Sequence, residues 1–261
     1  MEKKNNHPPA PPVQFSIRGY EASDRREVLA LLSDGVLEHV YPAFFRSLAY
    51  PDHVGVALSV CVAGYVLGGS SHLQALLFAA AWAGLLYCCC LQVHQGYLQR
   101  RLEAARGQNG LLEGSGLWVA ETEVGGRTRL VGVVAVRAVK GDQGAPGGRG
   151  EDRTGEEEEE EEEFEEGEEE LELYGELPLM VVSYGCRRRG LGSLLALKAL
   201  ETCKGRGYTR LLVDSSSPQA AANTLYRKMG FVQTAAHGET HANRWIAMLA
   251  RVQVLTLEKL L

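Results

Sequence analysis

The sequence predicts an α/β protein with a mixed α+β sheet, into which a hydrophobic helical hairpin is inserted. The apolar, β-branched segment 177–183 is followed by a basic, glycine-containing turn and then by leucines at helical spacing, which predicts a strand and a helix. A second strand and helix are predicted within residues 211–229. Residues 54–93 contain no Asp, Glu, Lys or Arg and are mostly apolar, which predicts the hairpin.

A short strand and a helix are predicted within residues 14–53, after a polar, proline-rich tail at residues 1–13 that is expected to be disordered. Residues 15–20 alternate apolar and polar side chains, as a strand does. Asp24 and Glu27 have the spacing of a capping box at a helix start. The apolar face expected of that helix comprises Val28, Leu31, Leu32, Val36 and Val40.

The predicted hairpin, residues 54–93, is expected to lie in a membrane. Its two apolar parts, 54–69 and 73–93, are separated by a turn of Gly, Ser and His. At about 1.5 Å per residue the second part is long enough to span a hydrocarbon core of about 30 Å, and the first is marginally short. Two buried core helices are the alternative. Because both flanks must join one sheet, they lie on the same side of the membrane, which leaves a spanning pair and a re-entrant hairpin open.

Positive charge flanks the hairpin, with Arg46 before it and Arg100, Arg101 and Arg106 after it. The positive-inside rule therefore places both flanks of the hairpin, and the domain that they join, in the cytosol. The endoplasmic reticulum is the expected organelle. The consecutive residues Cys88–Cys90 are either palmitoylation sites or small apolar residues of the span. The six cysteines have neither a disulfide framework nor C-x-x-C metal spacing.

Further elements are predicted along residues 94–261. His94–Arg106 is typical of an amphipathic helix, with Tyr97, Leu98 and Leu102 on its inner side. Strands are expected at residues 117–121 and 129–139, joined at Gly125-Gly126. The final strand pair is expected to combine residues 244–254 with Val232 and its neighbours.

An acidic insertion at residues 140–170 is expected to be disordered and to carry no chemistry. Loose binding of a basic partner or of calcium is the alternative. The insertion holds sixteen acidic and three basic residues, so it contributes −13 to the net charge of −6 and leaves +7 on the rest of the chain. A basic body suits a polyanionic cofactor or a membrane surface. Nucleic acid is not an expected partner, because no zinc-finger or homeodomain spacing is present.

The turn at residues 186–192, Cys-Arg-Arg-Arg-Gly-Leu-Gly, is a candidate phosphate site. A turn that enters a helix presents unpaired N–H groups at the positive end of the helix dipole. Gly190 and Gly192 let the backbone approach an anion, and the three arginines add positive charge. The alternative is an ordinary strand-to-helix turn with a solvated basic edge, since no Walker or G-x-G-x-x-G pattern is present.

The helix predicted at residues 220–229 carries Asn223 and Tyr226 and ends at Gly230-Phe231, after an N-cap expected at Ser215–Ser217 with Pro218 in the first turn. Together with Arg187, Gly190 and Gly192, this pattern resembles the acetyl-CoA-dependent N-acetyltransferases of the GNAT superfamily. The N-terminal residues resemble the camello-type membrane N-acetyltransferases, a group that includes aspartate N-acetyltransferase and cysteine-S-conjugate N-acetyltransferase. The residues that carry this second resemblance are Ile17, Arg18, Tyr20, Ser23, Asp24, Arg25, Glu38 and His39.

The resemblance implies a GNAT acyl-CoA N-acyltransferase fold, acetyl-CoA as cosubstrate, and a role for each matching residue. The strand end Met180, Val181 and Val182 would meet the pantetheine arm and the thioester oxygen. The amides of Arg187, Arg188, Arg189, Gly190, Leu191, Gly192 and Ser193 would hold the pyrophosphate. Tyr226 would be the general acid and Asn223 would orient the cofactor. For the general base, Glu176 and a water chain are both candidates.

The function expected from this resemblance is direct acetyl transfer to the amine of a small molecule, such as an amino acid or cysteine conjugate, or to a protein lysine. A catalytically silent binding or regulatory protein with the same fold is the alternative. Membrane lipid is an expected partner, and the oligomeric state is left open. No metal is expected, because His237 and His241 have H-x-x-x-H spacing without a third ligand.

Overall fold

A computed structural model of the chain describes residues 14–106, 116–124, 126–140 and 173–261. The tail at residues 1–13 and the acidic insertion beyond Lys140 lie outside these residues, as do the side chain of Leu102 and the turn residue Gly125. The predicted mixed sheet is confirmed. Seven strands pair in the order β1-β2-β3-β4-β5-β7-β6.

The strands pair antiparallel except at the centre, where β4 and β5 are parallel. They are β1 (Ser16–Gly19), β2 (Leu117–Val124), β3 (Arg127–Lys140), β4 (Leu173–Val182), β5 (Arg210–Ser216), β6 (Val232–His237) and β7 (Val254–Leu260). The predicted hairpin of residues 117–139 is confirmed, since Val124 pairs with Arg127 and Gly126 has a positive φ of 75° that a tight turn needs.

Helices cover both faces of the sheet. They are α1 (Arg25–Leu37), α2 (Val40–Leu48), α3 (Pro51–Leu67), α4 (His72–Arg106), α5 (Leu191–Gly205), α6 (Ala220–Lys228) and α7 (Arg244–Ala250). On one face α1 and the end of α4 bury Val28, Leu32 and Leu98 against Val133 and Leu179. On the other face α5 and α6 pack on the sheet through a core that contains Leu195 and Tyr226.

The predicted capping box at Asp24 and Glu27 is wrong. The Asp24 carboxylate accepts a hydrogen bond from the backbone amide of Glu21, 2.9 Å away, and forms an ion pair with Arg18 at 2.7 Å. The box is therefore formed by Glu21 and Asp24 around a 3-10 turn, and α1 begins one residue later at Arg25. The sequence has acidic residues at both spacings, and in the structure Asp24 belongs to the first, where it also pairs with Arg18.

The expected N-cap at Ser215–Ser217 is also wrong. Ser215 and Ser216 are the last residues of β5, where they pair with Leu255 and Val254, and Gln219 stands at the N-cap of α6. The β7 ladder extends β5 beyond the point at which local serine and proline signals predict a helix start.

The expected strand at residues 244–254 is wrong as well, because residues 244–250 form α7. Asn243 caps this helix by accepting a hydrogen bond from the Trp245 amide at 2.9 Å, and Arg251, with φ of 49°, ends it. Ile246 and Leu249, three residues apart, pack on α2 and α4. A short apolar segment does not distinguish a strand from a helix, and here the partner is a helix rather than a strand edge. The final pair is β6 with β7.

A long helical hairpin, α3 followed by α4, extends from the body of the protein. The sequence predicts two segments, a hairpin helix that ends before residue 94 and an amphipathic helix that begins there. In the structure both belong to one continuous helix, α4. By length and hydropathy two helical segments are candidate membrane spans, Ala22–Leu48 and His72–Arg100. The first packs on the sheet through α1, so it is a core element.

The outer surface of the hairpin is apolar and exposed between Pro51 and Leu85. Its exposed large apolar side chains are Val54, Val56, Leu58, Val62, Tyr65, Val66, Leu67, Leu73, Leu76, Leu77, Phe78 and Leu85. From Leu86 onward α4 is packed against protein, with Leu86, Cys90 and Val93 buried. The exposed apolar part of α4 is therefore the 14-residue segment 72–85, shorter than the candidate span.

Candidate active site

A groove opens at the centre of the sheet between β4 and β5. The two strands pair at Gly175 with Leu211 and at Glu176 with Leu212, and beyond these positions they diverge. β4 continues to Val182 on β3, while β5 continues to Ser216 on β7. The facing backbone edges beyond Glu176 are thus left without a partner strand, which provides hydrogen-bonding groups for a ligand that lies between them.

The turn between β4 and α5 presents its backbone amides at the end of this groove. In the described part of the chain, the amides of residues 188–193 donate no hydrogen bond, and the first amide of α5 that does is Leu194, to the Gly190 carbonyl at 3.1 Å. Gly190 has φ of 85°, and a Cβ placed there would meet no atom within 4 Å. The unbonded amides lie at the positive end of the 15-residue helix α5, which favours an anion.

The Arg187 side chain binds protein groups next to this turn. Its Nε donates to the Val182 carbonyl at 3.0 Å, and its guanidinium forms an ion pair with Glu38, at the end of α1, at 2.5 Å. Arg188 and Arg189 are exposed, and neither forms an ion pair with a described residue. The free positive charge of the turn therefore resides on these two arginines.

Asn223 and Tyr226 lie on the buried face of α6, beside the end of β5, where the edge of β5 that faces β4 has no partner strand. The Asn223 side-chain amide donates to the Ser216 carbonyl at 3.1 Å, while its Oδ1 is buried and has no partner among the described residues. Tyr226 is 4% exposed and packs edge-on against Phe231, with ring centroids 5.5 Å apart. Burial raises the pKa of the Tyr226 hydroxyl well above its usual value, and Tyr97 adds to the rise, so the hydroxyl stays protonated and can donate.

A cavity of about 220 Å³ lies beside the end of β5, on the side of α1 and α4. Its polar lining comes from α4, β5, the N-cap of α6, the end of β6 and the segment after it: His94, Tyr97, Arg100, Asp214, Ser215, Ser216, Gln219, His237, Glu239 and Thr240. Tyr97, one of the lining residues, also contributes to the raised pKa of the Tyr226 hydroxyl. The Thr240 hydroxyl is buried without a hydrogen-bond partner among the described residues, so it is available to a bound molecule.

Glu176, the candidate base, lies at the last paired position of β4 before the strands diverge. Its carboxylate forms an ion pair with Arg137 of β3 at 2.5 Å. It is not among the residues that line the cavity. The structure thus brings Asn223, Tyr226 and the turn amides to one groove and places Glu176 at its closed end.

The profile of the acetyltransferase (GNAT) family matches residues 81–231, which is more than half of the chain. This chain belongs to the GNAT family. The match begins in α4 and includes the groove, the amide turn and both α6 residues. The sheet that splays at its centre is therefore a GNAT sheet, and the apolar hairpin tip precedes the matched region.

Relatives of this GNAT protein span nearly its whole length. N-acetyltransferase 8B from Homo sapiens is 27% identical over 239 residues, covering 90% of each chain. N-acetyltransferase 8 from Homo sapiens is 28% identical over 238 residues, again covering 90% of each. Among solved structures, Arabidopsis thaliana NAA60 in complex with a bisubstrate analogue is 12% identical, covers 95% of this chain and 98% of its own, and has a TM-score of 0.49. The family match identifies an N-acetyltransferase, and the similarity to the N-acetyltransferase 8 proteins agrees with the predicted resemblance to the camello-type group.

The sequence pattern missed the cavity side of this GNAT site. The sequence predicts His94 and Tyr97 only as part of an amphipathic helix, and no pattern in it assigns a role to Asp214 or Glu239. The only feature that these residues share in the sequence is that they are polar and adjacent to apolar residues. Many surface residues have this feature, so it does not indicate a site. The roles predicted from the resemblance for the cofactor-binding residues, Tyr226 and Glu176 stay predictions.

Proposed function

We propose that this GNAT protein is a membrane-anchored, acetyl-CoA-dependent N-acetyltransferase that transfers the acetyl group directly to a primary amine. One observation carries the proposal: the open groove between β4 and β5 leads from unbonded amides at residues 188–193 to Tyr226 and the adjoining cavity. A two-substrate reaction needs such a pair of compartments that meet at the reacting atoms.

The residues at the end of the groove fit coenzyme A. The free amides and the helix dipole of α5 would hold the diphosphate, and Arg188 and Arg189 would add charge to which phosphate groups bind. The pantetheine arm would take the place of a strand against Met180–Val182. The buried, unpartnered Oδ1 of Asn223 would accept a hydrogen bond from it.

Tyr226 would protonate the sulfur as the thioester breaks. Its raised pKa means that the hydroxyl is protonated before this step. Backbone amides of residues 180–182 would stabilise the negative charge that develops on the thioester oxygen. Direct transfer requires no acyl-enzyme and therefore no nucleophilic Ser or Cys. The sequence-based candidates for the base are Glu176 and a water chain.

The acceptor that the cavity favours is a small molecule that carries both an amine and a carboxylate. The lining combines the guanidinium of Arg100 with the carboxylates of Asp214 and Glu239, so it offers a counterpart for each charge. Arg100 is oriented by a hydrogen bond of 3.2 Å to the Thr240 carbonyl. A protein lysine is the competing acceptor, and a screen that includes both separates them.

We propose that the hairpin enters the membrane as a re-entrant element. The 17 residues of α3 are about 25 Å long and residues 72–85 of α4 about 21 Å, both short of the roughly 30 Å hydrocarbon core. The turn at Gly69 and Ser70, both with positive φ, would then remain within the bilayer. The sequence-based orientation, with the catalytic domain in the cytosol and the endoplasmic reticulum as the organelle, belongs to this proposal.

Replacing three exposed side chains of α3, Leu58→Ser, Val62→Ser and Val66→Ser, should release the protein from membranes. The residues are 64%, 63% and 67% exposed and four positions apart, so they lie on one face. Each buried side chain contributes about 1.5–3 kcal/mol, so we expect the partition coefficient to fall at least about 1000-fold in vesicle flotation. Serine replacements at Leu197, Val232 and Leu260, which are exposed outside the hairpin, are the matched control. Equal flotation of both triple variants would contradict the anchor.

Removing the two free arginines, Arg188→Ala with Arg189→Ala, should raise KM for acetyl-CoA about tenfold or more and leave kcat nearly unchanged. The charges would contact phosphates far from the reacting carbonyl, so ground-state and transition-state binding weaken together. The variant should also show a weaker dependence of KM on salt. Arg25→Ala with Arg26→Ala, two exposed arginines at the other end of α1 from Glu38, is the control with the same charge. A similar rise of KM in the control would contradict direct contacts of Arg188 and Arg189 with the phosphates of acetyl-CoA.

The whole proposal is tested with full-length protein in detergent. Isothermal titration with CoA is combined with an acceptor panel of S-benzyl-L-cysteine, L-aspartate and a lysine-containing peptide. We expect CoA binding and thiol release with at least one amine. CoA binding without turnover of any amine would favour the catalytically silent alternative.

A further inference from the structure

His94 lies on α4 with one ring nitrogen bound and the other open. Its Nδ1 is 2.8 Å from the Cys90 carbonyl, one helical turn earlier, so Nδ1 carries the proton and donates it. The neutral ring then bears its lone pair on Nε2. No protein group in the described part of the chain forms a hydrogen bond with Nε2, and His94 lines the cavity.

The position of His94 relates it to the predicted acid. His94 and Tyr97 are three residues apart on α4, so both lie on the face that lines the cavity. Tyr97 in turn contributes to the raised pKa of the Tyr226 hydroxyl. His94 thus shares its face of α4 with a residue whose field reaches the predicted acid.

His94 is 5% exposed, and burial lowers the pKa of its imidazole below the usual value, although the hydrogen bond to Cys90 acts in the opposite direction. It is therefore neutral at pH 7. The ionisable groups that surround it come from the junction of α1 and α2, the turn after β4, α4 itself, β5 and the segment after β6. They are Glu38, His39, Arg187, Tyr97, Arg100, Asp214, His237 and Glu239.

We propose that His94 is the general base of the reaction, with Nε2 accepting the proton of the acceptor ammonium in the cavity. This inference rests on the proposed acetyl transfer and specifies its base. It differs from the sequence-based candidate, Glu176, whose carboxylate is bound to Arg137 at the closed end of the groove. It also assigns a chemical role to the helix that continues from the apolar hairpin.

The proton transfers balance. An N–H bond of the ammonium breaks and its proton passes to Nε2, which leaves a neutral amine. The amine nitrogen bonds to the acetyl carbonyl carbon, the C–S bond breaks, and the sulfur takes the hydroxyl proton of Tyr226. Tyr226 recovers a proton from the nitrogen, and His94 releases its own to solvent. The products are an amide, a thiol and one proton.

The pH dependence of His94→Asn tests the proposal, because an Asn amide can still donate to the Cys90 carbonyl but offers no lone pair at Nε2. The amine of the panel with the highest kcat/KM is the probe. For the wild type, kcat/KM should be flat from pH 7 to the amine pKa and fall at lower pH as the imidazole protonates. For the variant it should be about 10²- to 10⁴-fold lower at pH 7 and rise tenfold per pH unit, because solvent must then deprotonate the amine.

A second variant, His94→Ala, distinguishes a base from a packing residue. Added imidazole should restore part of its activity, which a role in positioning α4 would not allow. His72→Asn, at an exposed histidine of the hairpin turn that does not line the cavity, is the matched control and should keep the wild-type profile. An unchanged profile in His94→Asn with intact CoA binding would overturn the inference while the proposed function stands. Loss of that profile in Glu176→Gln would then assign the base to Glu176.

Histidine ¹⁵N NMR of the full chain gives a readout that needs no acceptor. The signal absent in His94→Asn identifies His94 among the seven histidines. We expect an unprotonated Nε2 at pH 7 that titrates below pH 6.5. A protonated Nε2 at pH 7 would contradict the inference, whatever the activity. Failure of CoA to bind would instead contradict the proposed function.

Discussion

Tyr226→Phe should lower kcat by about 10²-fold or more and leave the Kd for CoA within about twofold of the wild-type value. The substitution keeps the ring that packs edge-on against Phe231 and removes only the hydroxyl. Proton donation to a leaving group contributes about 10²- to 10⁴-fold to a rate, and it acts in the transition state alone. Rapid-mixing kinetics and CoA titration of the same preparation measure the two quantities.

A matched control for this variant is Tyr208→Phe, a partly buried tyrosine that packs on the same core from the β5 side. We expect wild-type kcat from it. Because burial raises the pKa of Tyr226, its hydroxyl stays protonated through neutral and moderately alkaline pH. Tyr226 therefore causes no loss of activity as pH rises through that range. Wild-type kcat in Tyr226→Phe would remove Tyr226 from the mechanism.

Gly190→Val should weaken CoA binding at least about tenfold. The residue has φ of 85°, a conformation that costs a residue with a Cβ about 1–2 kcal/mol, and more for a β-branched one. Its added side chain would occupy the open space next to the free amides, where the diphosphate is proposed to bind. Calorimetric titration with CoA measures the loss, and the melting temperature reports the strain.

Gly207 provides the control for strain. It has φ of 72°, nothing lies within 4 Å of a Cβ placed there, and it follows the opposite end of α5. Gly207→Val should therefore lower the melting temperature by a similar amount while CoA affinity stays at the wild-type value. If both variants lose CoA affinity equally, the loss in Gly190→Val is caused by lower stability and not by a changed diphosphate site.

Local patterns predicted the segments that meet at the groove, while the roles of their residues stay predictions. The turn at residues 186–192 and the spacing of Asn223, Tyr226 and Gly230 are short-range signals, because a strand, a turn and a helix follow one another in the chain. The structure brings these segments to one groove because β4 and β5 are neighbours in the sheet. Nothing beyond the order of the strands was needed to place them together.

The acceptor side depends on contacts that are distant in sequence. The cavity joins α4 to β5 and to the segment after β6, more than a hundred residues away. The role proposed for His94 depends on two features of the structure: its Nδ1 is bound within α4, and its ring lines the cavity. Likewise α7 is a helix because Ile246 and Leu249 pack on α2 and α4, a partner that no local pattern reveals.

Hydrogen–deuterium exchange with and without CoA tests the central claim, that the amides of residues 188–193 hold the diphosphate of the cofactor. These amides donate no hydrogen bond within the described part of the protein, so they should exchange rapidly in the free state. We predict that saturating CoA slows exchange in the peptide that covers them, and less so in Gly190→Val. Saturation with CoA, verified by calorimetry, without protection of this peptide would contradict the account.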